Sequence, residues 1–230
     1  MEKCIKELLY TLDADVCGIG AIERFNEAPE GFSPLDLFSD CKSVISFGVA
    51  LPKGLMFVEP RLLYGYFNEE VCKKVDAIAF KAAKEIEKIT GANCVPVPCD
   101  APNEYWEASI LKAKGLISMK HTAVACGLGQ LGKNTLLINP TYGNLLTVGA
   151  ILTNLELESD PLCEELCMPG CRRCVDACPV HAIHNREVEQ KACRNHAYGK
   201  TERGFDTVDC NVCRKVCPLR FGEKFGKKGI

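Results

Sequence analysis

The 230 residues fit one large domain or two small ones, and 28 Lys+Arg against 30 Asp+Glu leave a formal charge of −2. That balance gives no general field for gripping a phosphate backbone, so the charge count makes nucleic acid an unlikely partner. At 47% hydrophobic and 25% charged the chain is neither disordered nor collagenous, and it has no apolar run near the roughly 20 residues of a membrane helix. The start Met-Glu-Lys-Cys lacks a signal-peptide pattern, so a cytoplasmic location and no membrane partner are expected.

The first part of the chain, residues 1–158, alternates helix and strand in the α/β manner. Residues 2–12 carry an apolar helical stripe at Ile5, Leu8, Leu9 and Leu12, and 16–22 read as a short buried strand. A second apolar strand spans 43–51 and ends at Pro52 and Gly54. Residues 68–90 predict the strongest helix, with Asn68 as its cap, Glu69 and Glu70 in its first turn and Gly91 past its end. Residues 94–97 predict a strand that Pro96 and Pro98 push to a sheet edge. Asp100 then follows a buried strand and precedes a helix, a usual place for chemistry in α/β folds, and is the acid named as catalytic proton donor. A turn or helix-cap role for it is the competing expectation. Residues 104–126 read as helix in two pieces, broken near 115–118. The turn at 140–144 predicts a hairpin between strands at 135–139 and 145–153.

The second part, residues 159–230, is defined by cysteine. Nine of the 16 cysteines fall between 163 and 217, while seven (Cys4, Cys17, Cys41, Cys72, Cys94, Cys99 and Cys126) are scattered earlier and read as small buried apolar residues. Without an export signal, clustered cysteines point to metal or redox work rather than disulfides. Cys171-x2-Cys174-x3-Cys178-Pro179 and Cys210-x2-Cys213-x3-Cys217-Pro218 are one phrase written twice. That phrase is the tail of the bacterial ferredoxin run, in which the last cysteine serves the other cluster. Two 4Fe-4S clusters then take Cys167, Cys171, Cys174 and Cys217 for the first and Cys178, Cys193, Cys210 and Cys213 for the second. The x3 gap between Cys167 and Cys171 departs from the pattern, which keeps Cys163 as the fallback ligand. Structural zinc is the bland alternative. Arg172, Arg173, Arg214 and Lys215 either tune or dock at the clusters or are plain surface; His181, His184 and His196 read as ordinary residues.

Gly127-Leu-Gly129-Gln-Leu-Gly132-Lys133-Asn134 fits neither a dinucleotide fingerprint nor a phosphate loop, because a helix precedes it and a strand follows. What remains is a run that turns sharply or approaches a flat ligand closely, with Lys133 and Asn134 as donors; a purely structural turn is the other reading.

The run ACGLGQLGKNTLLIN (125–139), Tyr142-Gly143, ILTNLEL (151–157) and the doubled cysteine phrase, in that order, resemble epoxyqueuosine reductase and the related reductive dehalogenases. The resemblance implies an α+β protein in which a nitroreductase-like α/β domain precedes a bacterial ferredoxin-like double-cluster domain. It implies cobalamin as the leading cofactor, with flavin second, and sets Gly127, Gly129, Gly132, Lys133 and Asn134 beside it. The family's acid motif appears as Cys99-Asp100-Ala101-Pro102, with Asp100 displaced by one position. Expected partners are a ferredoxin- or flavodoxin-type donor and a small-molecule substrate. The first expectation is thus an iron-sulfur oxidoreductase. The others are a non-catalytic electron carrier or reductive activator of a corrinoid partner protein, and an interaction module merely stapled by its clusters.

Overall fold

A four-stranded sheet organises the first part of the chain in the computed structural model, which describes residues 1–184 and 186–223. Helix α1 (Glu2–Thr11) leads to β1 (Val16–Ala21), and the one-turn helix α2 (Pro34–Leu37), capped by Ser33, leads to β2 (Ser43–Ala50). The long helix α3 (Arg61–Thr90) stops where Gly91 takes a left-handed φ of 71°, and β3 (Cys94–Val97) follows. A small hairpin, β4 (Tyr105–Glu107) and β5 (Lys112–Lys114), precedes α4 (Met119–Ala125). The ribbon of β6 (Gln130–Leu131) and β7 (Leu137–Ile138) then gives way to β8 (Leu146–Thr153).

The sheet order is β1-β2-β8-β3, and each neighbouring pair is antiparallel. Its two faces follow the period of two along the strands. Ile45, Phe47 and Ile151 point into a core shared with Leu9 of α1 and Val75 and Ile86 of α3. Val44, Val148, Ala150 and Leu152 point to the other side, onto Ala123 of α4 and Cys126. The sheet is thus a middle layer between α1 and α3 on one side and α4 on the other.

The cysteine-rich part holds only short elements, α5 (Arg173–Asp176), β9 (Ile183–His184), β10 (Glu187–Val188), α6 (Gln190–Ala197), β11 (Tyr198–Lys200), β12 (Asp206–Val208) and α7 (Val212–Lys215). Each copy of the cysteine phrase folds as one helical turn, α5 or α7. The stretch at which the sequence places a domain boundary lies along the free edge of β1: Asp160 N–H donates to the Ile19 carbonyl (2.9 Å), Ile19 N–H to Asp160 Oδ2 (2.8 Å) and Ala21 N–H to Ser159 Oγ (2.8 Å). Phe221 also joins the core of the first part. The two parts share a hydrophobic interior.

The fold is a mixture of helices with small antiparallel sheets, and four local expectations need correction. Helix α3 starts at Arg61, seven residues before the expected cap, so Asn68 lies within it. Residues 104–114 form the β4–β5 hairpin instead of a first helical piece, because the Gln190 side chain supplies a partner for its backbone: Ala113 N–H donates to Gln190 Oε1 at 2.9 Å. The turn at 140–144 forms, but it closes only an isolated bridge between Asn139 and Gly143. Asn139 Oδ1 accepts from the N–H groups of Thr141 and Tyr142, after which β8 leaves for the middle of the sheet while β7 pairs with β6. Of the seven scattered cysteines, Cys41, Cys94 and Cys126 are buried; Cys17, Cys72 and Cys99 are half-buried and Cys4 is exposed. No helix among the described residues is long and apolar enough to cross a membrane.

Candidate functional site

A cavity of about 1410 Å³ opens where the cysteine-rich part meets α3, α4 and the β4–β5 hairpin. Ordinary small-molecule sites run to roughly 300–1,000 Å³, so this space suits a large ligand. Tyr64 and Asn68 of α3 form one wall, and Ala113 and Lys114 of the hairpin another. Gln190 ties that hairpin to α6 through both the N–H and the carbonyl of Ala113 (2.9 and 3.4 Å). The Arg194 guanidinium adds a second tie, stacked 5.5 Å from the Trp106 ring and 5.9 Å from that of Tyr198.

Four cysteines line the same cavity: Cys178, Cys193, Cys210 and Cys213. Burial pushes the Cys213 thiol up to about 11, and the charges of Cys193 and Cys210 add to the rise. Cys193 is raised by burial and then by Cys178 and Cys210. A second set gathers beside it. Burial holds Cys217 up at about 11, with Cys174, Cys167 and Cys171 all within electrostatic reach. Cys174 is raised by burial and by Cys167 and Cys171, and its charge is also felt by Cys213 of the first set. The fallback residue Cys163 has Glu223 and Glu164 as its nearest acids, and its carbonyl accepts from Gln130 Nε2 at 2.7 Å. Among the described residues no three His, Cys, Asp or Glu groups converge closely enough to hold a single metal ion.

The glycine-rich run stands between these sets and only touches the cavity. A Cβ on Gly127, whose φ is 79°, would come within 2.4 Å of the Pro161 carbonyl oxygen, and one on Gly129 within 2.2 Å of that of Ile138. These two glycines let backbone pack on backbone. Gly132 packs on Ile138 and on the Asn134 side chain. Lys133 donates to the carbonyl oxygens of Met168 (3.3 Å), Pro169 and Cys171 (2.8 Å), clasping the loop that bears Cys167 and Cys171. Asn134 is buried, lines the cavity, and donates through Nδ2 to the Cys213 carbonyl at 3.0 Å. Of the five residues assigned to a cofactor, Asn134 alone lines the cavity; Lys133 holds the first cysteine loop, and the three glycines pack against Pro161, Ile138 and Asn134.

Asp100 is exposed and stands outside the lining, with its charge felt by Cys72 and by Tyr198 of the cavity wall. Arg172 pairs with Asp176 (3.3 Å), Lys215 donates to the Val58 carbonyl (2.6 Å) and Arg173 is exposed. His181 and His184 are exposed, whereas His196 lines the cavity.

Sequence reasoning named Arg214 only as a residue that tunes or docks at the clusters, and missed Asn211 altogether. Asn211 is 6% exposed and its Nδ2 has no partner, and Arg214 Nη1 is likewise buried and unpaired; both residues line the space. A buried donor without an acceptor costs about 1–3 kcal/mol, which a ligand oxygen at that place would offset. Burial and then the Arg214 charge hold the Lys120 ammonium below its usual value. Six Lys or Arg residues face the cavity against two carboxylates, Glu27 and Glu187. The signal available in the sequence was position: Asn211 and Arg214 directly follow Cys210 and Cys213.

No family profile matches the chain. It is 28% identical over 211 residues to the epoxyqueuosine reductase of Lactococcus garvieae, an alignment covering 84% of this chain and 56% of that protein. The chain therefore spans just over half the length of that relative. Among solved structures it is similar to epoxyqueuosine reductase from Streptococcus thermophilus, with a TM-score of 0.70 at 20% identity over 97% of this chain and 67% of the other. A catabolic reductive dehalogenase gives 0.71 at 16% identity, over 98% and 33%. A third, an epoxyqueuosine reductase with a modified tRNA stem loop, gives 0.64 at 17% identity, over 95% and 65%. The resemblance read from the motifs holds in sequence and fold for epoxyqueuosine reductases, and in fold for a reductive dehalogenase.

Proposed function

We propose that the chain is an iron-sulfur reductase of the epoxyqueuosine reductase-like kind, whose two sets of four cysteines would hold two 4Fe-4S clusters and whose cavity would hold a cobalamin. The carrying observation is that four cysteines of the doubled phrase, or spaced with it, line a cavity larger than ordinary ligand sites. The donor set fits the clusters. The thiols gather in two fours, one around Cys193 and Cys213 and one around Cys217, and four is the ligand count of one cubane. The cavity fits a corrin in volume, and the unpaired donors of Asn211 and Arg214 fit the amide oxygens on its rim.

When bound, these groups would supply one-electron transfer at low potential. The chain's own residues do the rest. Cys167, Cys171, Cys174 and Cys217 would hold the first cluster, and Cys178, Cys193, Cys210 and Cys213, which line the cavity, the second. Lys133 keeps the first cysteine loop in place and Asn134 the second. The β4–β5 hairpin, latched by Gln190 and Arg194, holds one wall of the cavity in place. The cationic lining favours an anionic substrate. A nucleic-acid substrate belongs to that class, and one structural neighbour is recorded with a tRNA stem loop, so the whole-chain charge is too coarse a ground for setting nucleic acid aside.

The exposed position of Asp100, outside the lining, favours a second reading. With Asp100 outside the lining, and if neither cavity carboxylate, Glu27 nor Glu187, takes its place as proton donor, the chain would pass electrons to a corrinoid partner protein rather than reduce a substrate itself. Anaerobic purification with iron, cobalt and flavin analysis separates the two. About eight irons per chain with about one cobalt, or tight uptake of added cobalamin, support the reductase. The same iron with neither cobalt nor flavin supports the carrier, and zinc in place of iron would overturn both.

A further inference from the structure

Cys72 and Cys99 are two thiols that neither the cavity nor the clusters use. Tyr64, Asn68 and Cys72 succeed one another at four-residue steps along one face of α3, and the first two line the cavity. Cys72 is therefore the next position beyond the cavity wall. Cys99 opens the segment 99–118, which carries the β4–β5 hairpin. The backbone holds them together: Cys99 N–H donates to Asp76 Oδ1 at 2.9 Å, and Asp76 lies one helical turn on from Cys72. The Cys99 thiol reaches the Cys72 carbonyl oxygen at 3.5 Å, and the two thiols are in hydrogen-bond contact with each other. Both are half-buried.

The pair is also chemically unequal. The hydrogen bond from Cys99 favours the Cys72 thiolate and holds Cys72 below the usual thiol value, although burial and the charges of Asp100 and Asp76 oppose this. Cys99 is held well above that range by the same bond, and by burial. One member is thus set to attack and the other to resolve. Cys94, the nearest cysteine in sequence to Cys99, is buried and its thiol is engaged with Thr153 Oγ1 at 3.5 Å.

We propose that Cys72 and Cys99 form a redox-active pair that closes to a disulfide on meeting a low-molecular-weight disulfide, and that the cross-link pins the hairpin-bearing segment to α3. The Cys72 thiolate attacks one sulfur of the small disulfide and releases the first small thiolate. Cys99 gives up its proton to water, its sulfur displaces the second small thiolate from Cys72, and the Cys72–Cys99 bond forms. The protein loses two electrons and two protons; the small disulfide gains them and becomes two thiols. The pair lies outside both cysteine sets, so the exchange needs no cluster and does not depend on the reductase reading.

The test uses the anaerobically purified full chain, incubated with oxidised glutathione, alkylated with iodoacetamide and digested with trypsin. The expected product links the fragments 62–73 and 89–112. The link persists in Cys94→Ser, which removes the other cysteine of the second fragment, and is lost in Cys99→Ser. Recovery of Cys72 and Cys99 both alkylated, or a link that survives Cys99→Ser, would overturn the pair. Limited proteolysis within 99–118 reads the pinning. Oxidation should slow cleavage severalfold in the parent protein, leave Cys72→Ser unchanged, and be reversed by dithiothreitol; equal cleavage before and after oxidation of the parent would remove the tethering role.

Discussion

Replacing Lys133 by Met tests whether the glycine-rich run acts on the first cysteine loop rather than on a ligand. The ammonium makes two firm bonds, to the Pro169 and Cys171 carbonyls, and a longer one to Met168. Hydrogen bonds to a charged group contribute about 1.5–3 kcal/mol when well shielded. Lys133 is half-exposed and the freed carbonyls can turn to water, which reduces each firm bond to about 1 kcal/mol. The loss is then about 2 kcal/mol, or roughly thirty-fold in the equilibrium for local opening. Hydrogen exchange of the amides in 167–171 should accelerate by that factor, while amides of β8 stay unchanged. In the cluster-loaded protein, iron release to a chelator should quicken in parallel. Lys120→Met, a lysine removed from the same region without touching this loop, is the control. Unchanged exchange at 167–171 in the Lys133 variant would refute the clasp, whatever happens to activity.

Gly127→Ala forces a left-handed residue to carry a Cβ 2.4 Å from the Pro161 oxygen; strain and clash together should cost at least about 2 kcal/mol in urea denaturation, and an unmoved midpoint would show that the chain does not pack so closely there. The folded value of Lys120 is depressed below 10.5 by burial and Arg214, so the charged form opposes folding at neutral pH and the penalty fades as pH rises from the folded value towards 10.5. Lys120→Met should accordingly stabilise the protein at neutral pH and lose that advantage in the alkaline range; a gain that grows with pH contradicts the assignment. Asn211→Leu removes a buried unpaired donor, so the unliganded chain should be as stable as before or more so by up to about 1 kcal/mol. Hydroxocobalamin affinity, followed by absorbance titration, should fall about tenfold for the one bond lost, and equal affinity would place the cofactor's rim elsewhere.

What the sequence made legible was local. The apolar period of α1, the β-rich run of β2 and the glycine that ends α3 all depend on residues within a few positions of one another, and each forms within a residue or two of expectation. The doubled cysteine phrase belongs here too, because one helical turn spaces its thiols. The failures share a different cause. Residues 104–114 became a hairpin because Gln190 and Arg194, about eighty positions away, supply its hydrogen bonds and stacking. Strand β8 joined β2 and β3 in the middle of the sheet because its alternating faces complete both cores. The Asn68 cap was overridden because Pro60 starts the helix earlier and the cavity needs Tyr64 and Asn68 on one continuous face. Asn211 was invisible, and Arg214 was legible only as a cation near the clusters, because an unpaired donor is a property of surroundings, not of residue type.

The charge count shows the same limit in its sharpest form. A formal −2 averages over the whole chain, yet many of its acids are spent beside lysines on the outer surface, as in Lys73 with Glu69 and Glu70, Lys88 with Glu85, and Lys200 with Asp206. What faces the cavity is six cationic side chains, of which Arg186 is paired with Glu165, against two carboxylates. A concave site with low-dielectric walls concentrates the field of its lining, so an anion meets that local excess rather than the net charge. Binding of an anionic ligand should therefore weaken steadily as salt is raised from about 0.01 to 0.15 M, over which the screening length shrinks from about 30 to 8 Å. An affinity indifferent to salt would mean that apolar walls such as Phe25, Ile117 and Val208 carry the recognition instead.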